Sequence, residues 1–107
     1  MQGHVYFIKN EHDGFIKMGY TERDPNIRLR EWKHMIPHKL TLLGYIEANS
    51  SLENYLKNFL FYPYMVIPDD DIEETEWFTP ARAILEFIEG KCVIPPNIFI
   101  APTASNT

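Results

Sequence analysis

His34 and His38 stand four residues apart, the spacing at which two imidazoles on one helix face can share a zinc ion. Pro37 lies between them and interrupts such a helix, so no zinc site is expected there. Asp69, Asp70, Asp71, Glu73, Glu74 and Glu76 form an acidic run that invites a calcium reading. The spaced ligands and turn glycine of a helix-loop-helix calcium site are missing, which points to a solvated loop. Cys92 is the only cysteine and makes neither an internal disulfide nor a thiolate metal site. Glu53 follows Ser50 by three residues and precedes Lys57 by four, positions that suit a capping box and a helix ion pair. Tyr6 and Lys17, a phenol and an ammonium, are each set in a stretch with the composition of a β-strand.

The elements that must position these groups are written in the same residues. His4-Val5-Tyr6-Phe7-Ile8-Lys9 and Phe15-Ile16-Lys17-Met18-Gly19-Tyr20 are rich in β-branched and aromatic residues, with turn chemistry at Asn10-Glu11-His12-Asp13-Gly14 between them. A β-hairpin follows. With Glu11 to Gly14 as its loop, Asn10 faces Phe15, Tyr6 falls opposite Gly19, and Lys17 lies diagonal to Tyr6 on the same face. His4, Tyr6, Lys17 and Gly19 then form a polar face, and Val5, Phe7, Ile16, Met18 and Tyr20 a core face. Asp24 as N-cap and Pro25 at the first helical position start a helix that continues to Met35 and stops before Pro37. Leu40 to Ile46 reads as a third strand.

A second helix opens at Ser50-Ser51-Leu52-Glu53, with Leu52, Tyr55, Leu56, Phe59 and Leu60 as its buried stripe. Glu76-Trp77-Phe78 reads as a short strand or turn, with Trp77 and Phe78 plugging the core. A third helix starts at Thr79 or Pro80, runs through Ile84, Leu85, Phe87 and Ile88, and ends at Gly90. The order β-β-α-β-α-α predicts an α+β fold, a small, mostly antiparallel three-stranded sheet flanked by helices. Residues 1–90 make the domain and residues 91–107 an extended strip and loose tail.

Composition sets outer limits. The chain has 107 residues, 45% hydrophobic and 14% aromatic, which suits one core and excludes a disordered or multidomain chain. No apolar run is long enough for a membrane span, and the start Met1-Gln2-Gly3-His4 lacks the basic and apolar segments of a secretory leader. A cytoplasmic location is expected. The net charge of −5 divides into +1 over residues 1–60 and −6 over residues 61–107, so any nucleic-acid partner is expected on the first part.

Taken in order, several short motifs resemble the GIY-YIG nuclease superfamily, especially a small phage and bacterial branch with lysine for tyrosine in the second motif. The first motif corresponds to His4-Val5-Tyr6 and the second to Lys17-Met18-Gly19 within Ile16 to Thr21. Arg28 follows within Ile27-Arg28-Leu29, Leu52-Glu53 opens the second helix, and Glu76-Trp77-Phe78 resembles a late signature of the same branch. The resemblance covers about residues 3 to 88.

That resemblance implies metal-dependent hydrolysis of DNA phosphodiesters in a bacterial or phage-infected cell. Tyr6 would be the general base or would position the nucleophile, Arg28 would bind the scissile phosphate, and Glu53 would hold one Mg2+ or Mn2+. An anionic diester that resists attack calls for such a cation, a donor fork and a proton acceptor. Lys17, on the face of Tyr6, would favour the phenolate or contact the phosphate. Gly19 would leave space for substrate, and Arg30 and Lys33 would add basic contacts beside Arg28. The family commonly has a histidine near the arginine or after the glutamate; Trp32 and Lys57 stand at those places here. The alternative is a degenerate module that binds nucleic acid or protein without cutting. A homodimer through the apolar Ile94 to Ile100 strip would lengthen the basic groove.

Overall fold

Two strands joined by a glycine-bearing turn organise the molecule in a computed structural model that describes residues 2–66 and 77–95. Strand β1 (Gly3–Asn10) pairs antiparallel with β2 (Ile16–Thr21), placing Tyr6 opposite Gly19 and Ile8 opposite Lys17. The amide of Asn10 donates to Phe15 O at 2.9 Å, closing the loop where its residues predict. Gly14 has φ 82°, a conformation open to glycine and strained for a side chain. Asp13 Oδ1 and Asn10 Oδ1 accept from the amides of Phe15 and His12, so the turn's own side chains satisfy its backbone.

Helix α1 (Pro25–Met35) begins where Asp24 Oδ1 accepts from the amide of Asn26 and ends before Pro37. Strand β3 (Leu40–Ala48) returns antiparallel along β1, and a register shift between Phe7 and Ile8 leaves Leu43 as the extra residue of a bulge. Among the described residues the sheet has five strands rather than the expected three, in the order β3-β1-β2-β5-β4, all antiparallel. Of the two further strands, β5 (Trp77–Phe78) is the short strand that Glu76-Trp77-Phe78 allowed, whereas β4 (Met65–Val66) has no counterpart among the expected elements; with two residues each, neither shows an alternating pattern. They exist because Lys17 pairs with Trp77 and Met65 with Phe78, contacts between distant parts of the chain.

Helix α2 (Ser50–Tyr55) departs from its predicted start. Asn49, not Ser50, is its cap, accepting from the amide of Ser51, so Glu53 does not sit at the capping-box position. The helix then widens into a π-turn over Leu56–Leu60, where the amide of Phe61 donates to Leu56 O at 2.7 Å. This extra residue per turn moves the buried stripe. Leu56 and Phe61 are buried, whereas Tyr55, Phe59 and Leu60, expected inside, are exposed. A short 3-10 turn, Tyr62–Tyr64, leads into β4. Helix α3 (Arg82–Lys91) starts later than Thr79 and contains Gly90, which keeps φ negative instead of forming a left-handed terminus.

Both faces of the sheet are covered. Val5, Phe7, Ile16 and Met18 pack with Leu56, Phe61, Phe78, Ile84 and Ile88 on one side. On the other, Tyr6 and Ile8 pack with Leu29, Leu40 and Leu42, and Trp32 lies against them. The face expected to be polar is therefore roofed by α1, because Leu29 and Trp32 on that helix need an apolar surface to cover. Val93 bridges to Tyr45 at the outer edge of β3. Ile94 lines an apolar cavity of ≈ 380 Å³ with Leu43, Leu85 and Ile88. The acidic run from Asp69 to Glu76 and the strip and tail beyond Pro95 lie outside the described residues.

Candidate functional site

The hairpin register decides which side chains share the roofed face. Tyr6 on β1 and Lys17 and Gly19 on β2 all point towards α1, and the turn spacing of that helix brings Arg28 and Trp32, four residues apart, onto its inner side. Trp32 is the hub of the cluster. Its Nε1 donates to Tyr6 Oη at 3.1 Å, and its ring lies 4.4 Å from Lys17 Nζ and 5.2 Å from Arg28 Cζ, measured to the ring centroid. The Trp77 ring also lies near Lys17 Nζ, at 5.8 Å. A ring whose face is electron-rich attracts both cations, and the attraction strengthens where water is excluded. Tyr6 is 1% exposed and Lys17 5% exposed, so water is largely excluded.

Gly19 serves Tyr6 itself. A Cβ at position 19 would meet Tyr6 Oη and Cζ well inside contact distance, so the room beside the glycine is filled by the phenol ring and not left for substrate. Arg28 is held by more than the indole. Partial burial works against its charge, but interactions with the Tyr6 hydroxyl and the Glu31 carboxylate outweigh this and raise its pKa above the ordinary arginine value. Glu31 also accepts from Arg23, with both oxygens 3.0 Å from Arg23 Nη2. The hydrogen bond from Arg28, reinforced by Arg23, holds the Glu31 carboxyl below its usual range. The result is an Arg-Glu-Arg chain running from the surface to the phenol.

Of the residues singled out from sequence, Tyr6, Lys17, Gly19 and Arg28 meet in one cluster. Arg30 and Lys33 belong to the same helix but are exposed on its outer side. Glu53 is half-buried on α2, whose Leu52 packs, with Leu56 of the following π-turn, against the opposite face of the sheet from Tyr6. Glu31, Trp32 and Trp77 complete the cluster without having been read as site residues. Their signal was available in part, since Glu31 and Trp32 stand three and four residues after Arg28 on a predicted helix. Trp77 reaches Lys17 only through the pairing of β2 with β5.

His38 stacks on His12, rings 4.2 Å apart and 7° from parallel, so their in-plane lone pairs run side by side instead of converging. His4 sets its ring edge-on to Tyr45 at 5.5 Å and has a buried Nδ1 with no hydrogen-bond partner among the described residues. Among the described residues no three His, Cys, Asp or Glu side chains gather as a metal centre. A single carboxylate ligand, as Glu53 would be, suits magnesium or manganese, which keep most of their water, better than zinc, which takes a closed set of protein ligands.

No protein-family model matches the chain, and neither the curated proteins nor the solved structures contain a match.

Proposed function

We propose that the chain is a small divalent-metal-dependent nuclease of the GIY-YIG type that hydrolyses DNA phosphodiesters. The observation that carries this reading is the meeting of Tyr6, Lys17 and Arg28, from three separate elements, around the Trp32 indole on one face of the sheet. A phosphodiester presents two anionic oxygens, and a guanidinium beside an ammonium offers a planar fork and a point charge to them. Arg28, with its raised pKa, keeps its proton throughout the working range. The Tyr6 hydroxyl, released from the indole N–H when substrate enters, would hold or pass the proton of the attacking water. The resemblance gives Glu53 the metal, which when bound would supply positive charge to the developing oxyanion; because its helix packs on the other face of the sheet, this role requires the diester to reach both faces. Because α1 covers the phenol, substrate entry on this reading includes displacement of the Trp32 indole.

The test is nicking of a supercoiled plasmid in Mg2+ or Mn2+ by the full chain, by Glu53→Ala and by Tyr6→Phe. The expectation is nicking by the unmodified chain and losses of about 100-fold or more in each variant. Equal activity in all three preparations would mark a contaminant and overturn the reading.

A second reading, binding of a phosphodiester without cleavage, draws on the position of Glu53, whose helix packs on the sheet face opposite Tyr6. It expects duplex binding by fluorescence anisotropy that weakens in Arg28→Ala, with no nicking in either metal.

A further inference from the structure

The π-turn after α2 has a consequence for the surface. By drawing Phe61 into the core it leaves Tyr55, Phe59, Leu60, Tyr62 and Met65 outside, 53%, 73%, 43%, 66% and 40% exposed. The rings of Tyr55 and Phe59 contact each other, centroids 5.6 Å apart, instead of being dispersed among polar groups. Five large apolar side chains within eleven residues exceed the scatter of single hydrophobic residues that a folded surface normally shows.

We propose that this patch is the contact between two copies of the chain. With aromatic side chains covering about 150–250 Å² each, the exposed parts of these five amount to about 500 Å². A stable interface needs about 800 Å² per partner, of which an apolar centre and polar rim are the usual parts, so the patch is large enough to be that centre. Its charge suits self-association. The whole chain carries −5, yet residues 54–65 contain no acid and one cation, Lys57, so the segment itself brings no carboxylate to the contact. Asn54 and Asn58, both exposed in the same segment, each donate and accept, which allows like-to-like pairing across a two-fold axis. Met65 belongs to β4, the terminal strand of the sheet, whose outer edge has no strand partner among the described residues. Nucleic acid fits the patch less well, because a single lysine supplies little phosphate neutralisation. A dimer so formed would carry two Tyr6 clusters.

Sedimentation equilibrium of the full chain tests this without reference to catalysis. The expected result is a dimer with a dissociation constant of about 1–100 μM, and monomers for Phe59→Glu and Tyr62→Glu. Because both side chains are exposed, each variant should keep the circular dichroism spectrum and thermal midpoint of the parent. A parent chain that remains monomeric at about 1 mM, or variants that still dimerise, would overturn the proposal. So would a monomer whose affinity for single-stranded DNA falls in Phe59→Glu, since that outcome assigns the rings to base stacking.

Discussion

The phenol of Tyr6 occupies the space that a side chain on Gly19 would require, so a glycine on β2 determines where a tyrosine on β1 can lie. Gly19→Ala is expected to destabilise the fold by about 1–3 kcal/mol, because the ring is enclosed by α1 and cannot move aside without cost. Urea unfolding should show a lower midpoint at unchanged slope. Combined with Tyr6→Ala, the alanine at position 19 should cost much less, since the obstructing ring is gone. Strictly additive effects would show that the two positions do not touch.

Glu31 occupies Arg28 and Arg23 at once, and so competes with any bound anion for the guanidinium of Arg28. Glu31→Gln should tighten binding of a labelled DNA duplex several-fold at low ionic strength. The gain should fade at about 1 M salt, where the screening length falls to about 3 Å. No change at low salt would mean that Arg28 does not face the ligand.

The π-turn makes a pair of predictions with opposite expectations for neighbouring residues. Phe61→Ala removes a fully buried ring that packs edge-to-face with Phe78 and Phe87 and should cost about 3–5 kcal/mol. Leu60→Ala, at a position that continuous α-helical spacing would bury, should stay within about 1 kcal/mol. Thermal unfolding of both distinguishes the two registers, and the reverse order would restore the regular helix.

Cys92 sits against Gly44 beside β3, and burial pushes its thiol up to about 12 from an ordinary 9.0. The folded chain therefore holds this proton more tightly than the unfolded chain does. Below pH 9 both states are protonated and the group adds no pH dependence; between 9 and about 12 the unfolded state alone ionises, and stability falls as pH rises. Cys92→Ala should flatten the alkaline limb of the stability profile. Alkylation of the native thiol at pH 8 should be slow and should accelerate on unfolding.

Local spacing was enough to read the hairpin, the capped first helix and the long third strand. In those segments alternation, the Asn10 to Gly14 turn and the Asp24-Pro25 start all act within a few residues of one another. The opposition of Tyr6 and Gly19 and the diagonal Lys17 followed from the same loop length. Where the reading departed from the structure, the deciding contact came from far along the chain. Trp77 joined the sheet through Lys17, Met65 through Phe78, and Phe61 displaced Leu60 by filling a hole among Phe7, Phe78 and Phe87.

The sequence by itself determined which residues share the Tyr6 face, because strand alternation and turn length leave no other register. Only the tertiary structure decided that this face is roofed instead of open, that Trp32 joins Tyr6, Lys17 and Arg28 into one cluster, and that α2 packs against the far side. Those outcomes depend on how helices divide the two faces of a sheet between them, an apolar packing balance summed over the whole core that no local spacing records.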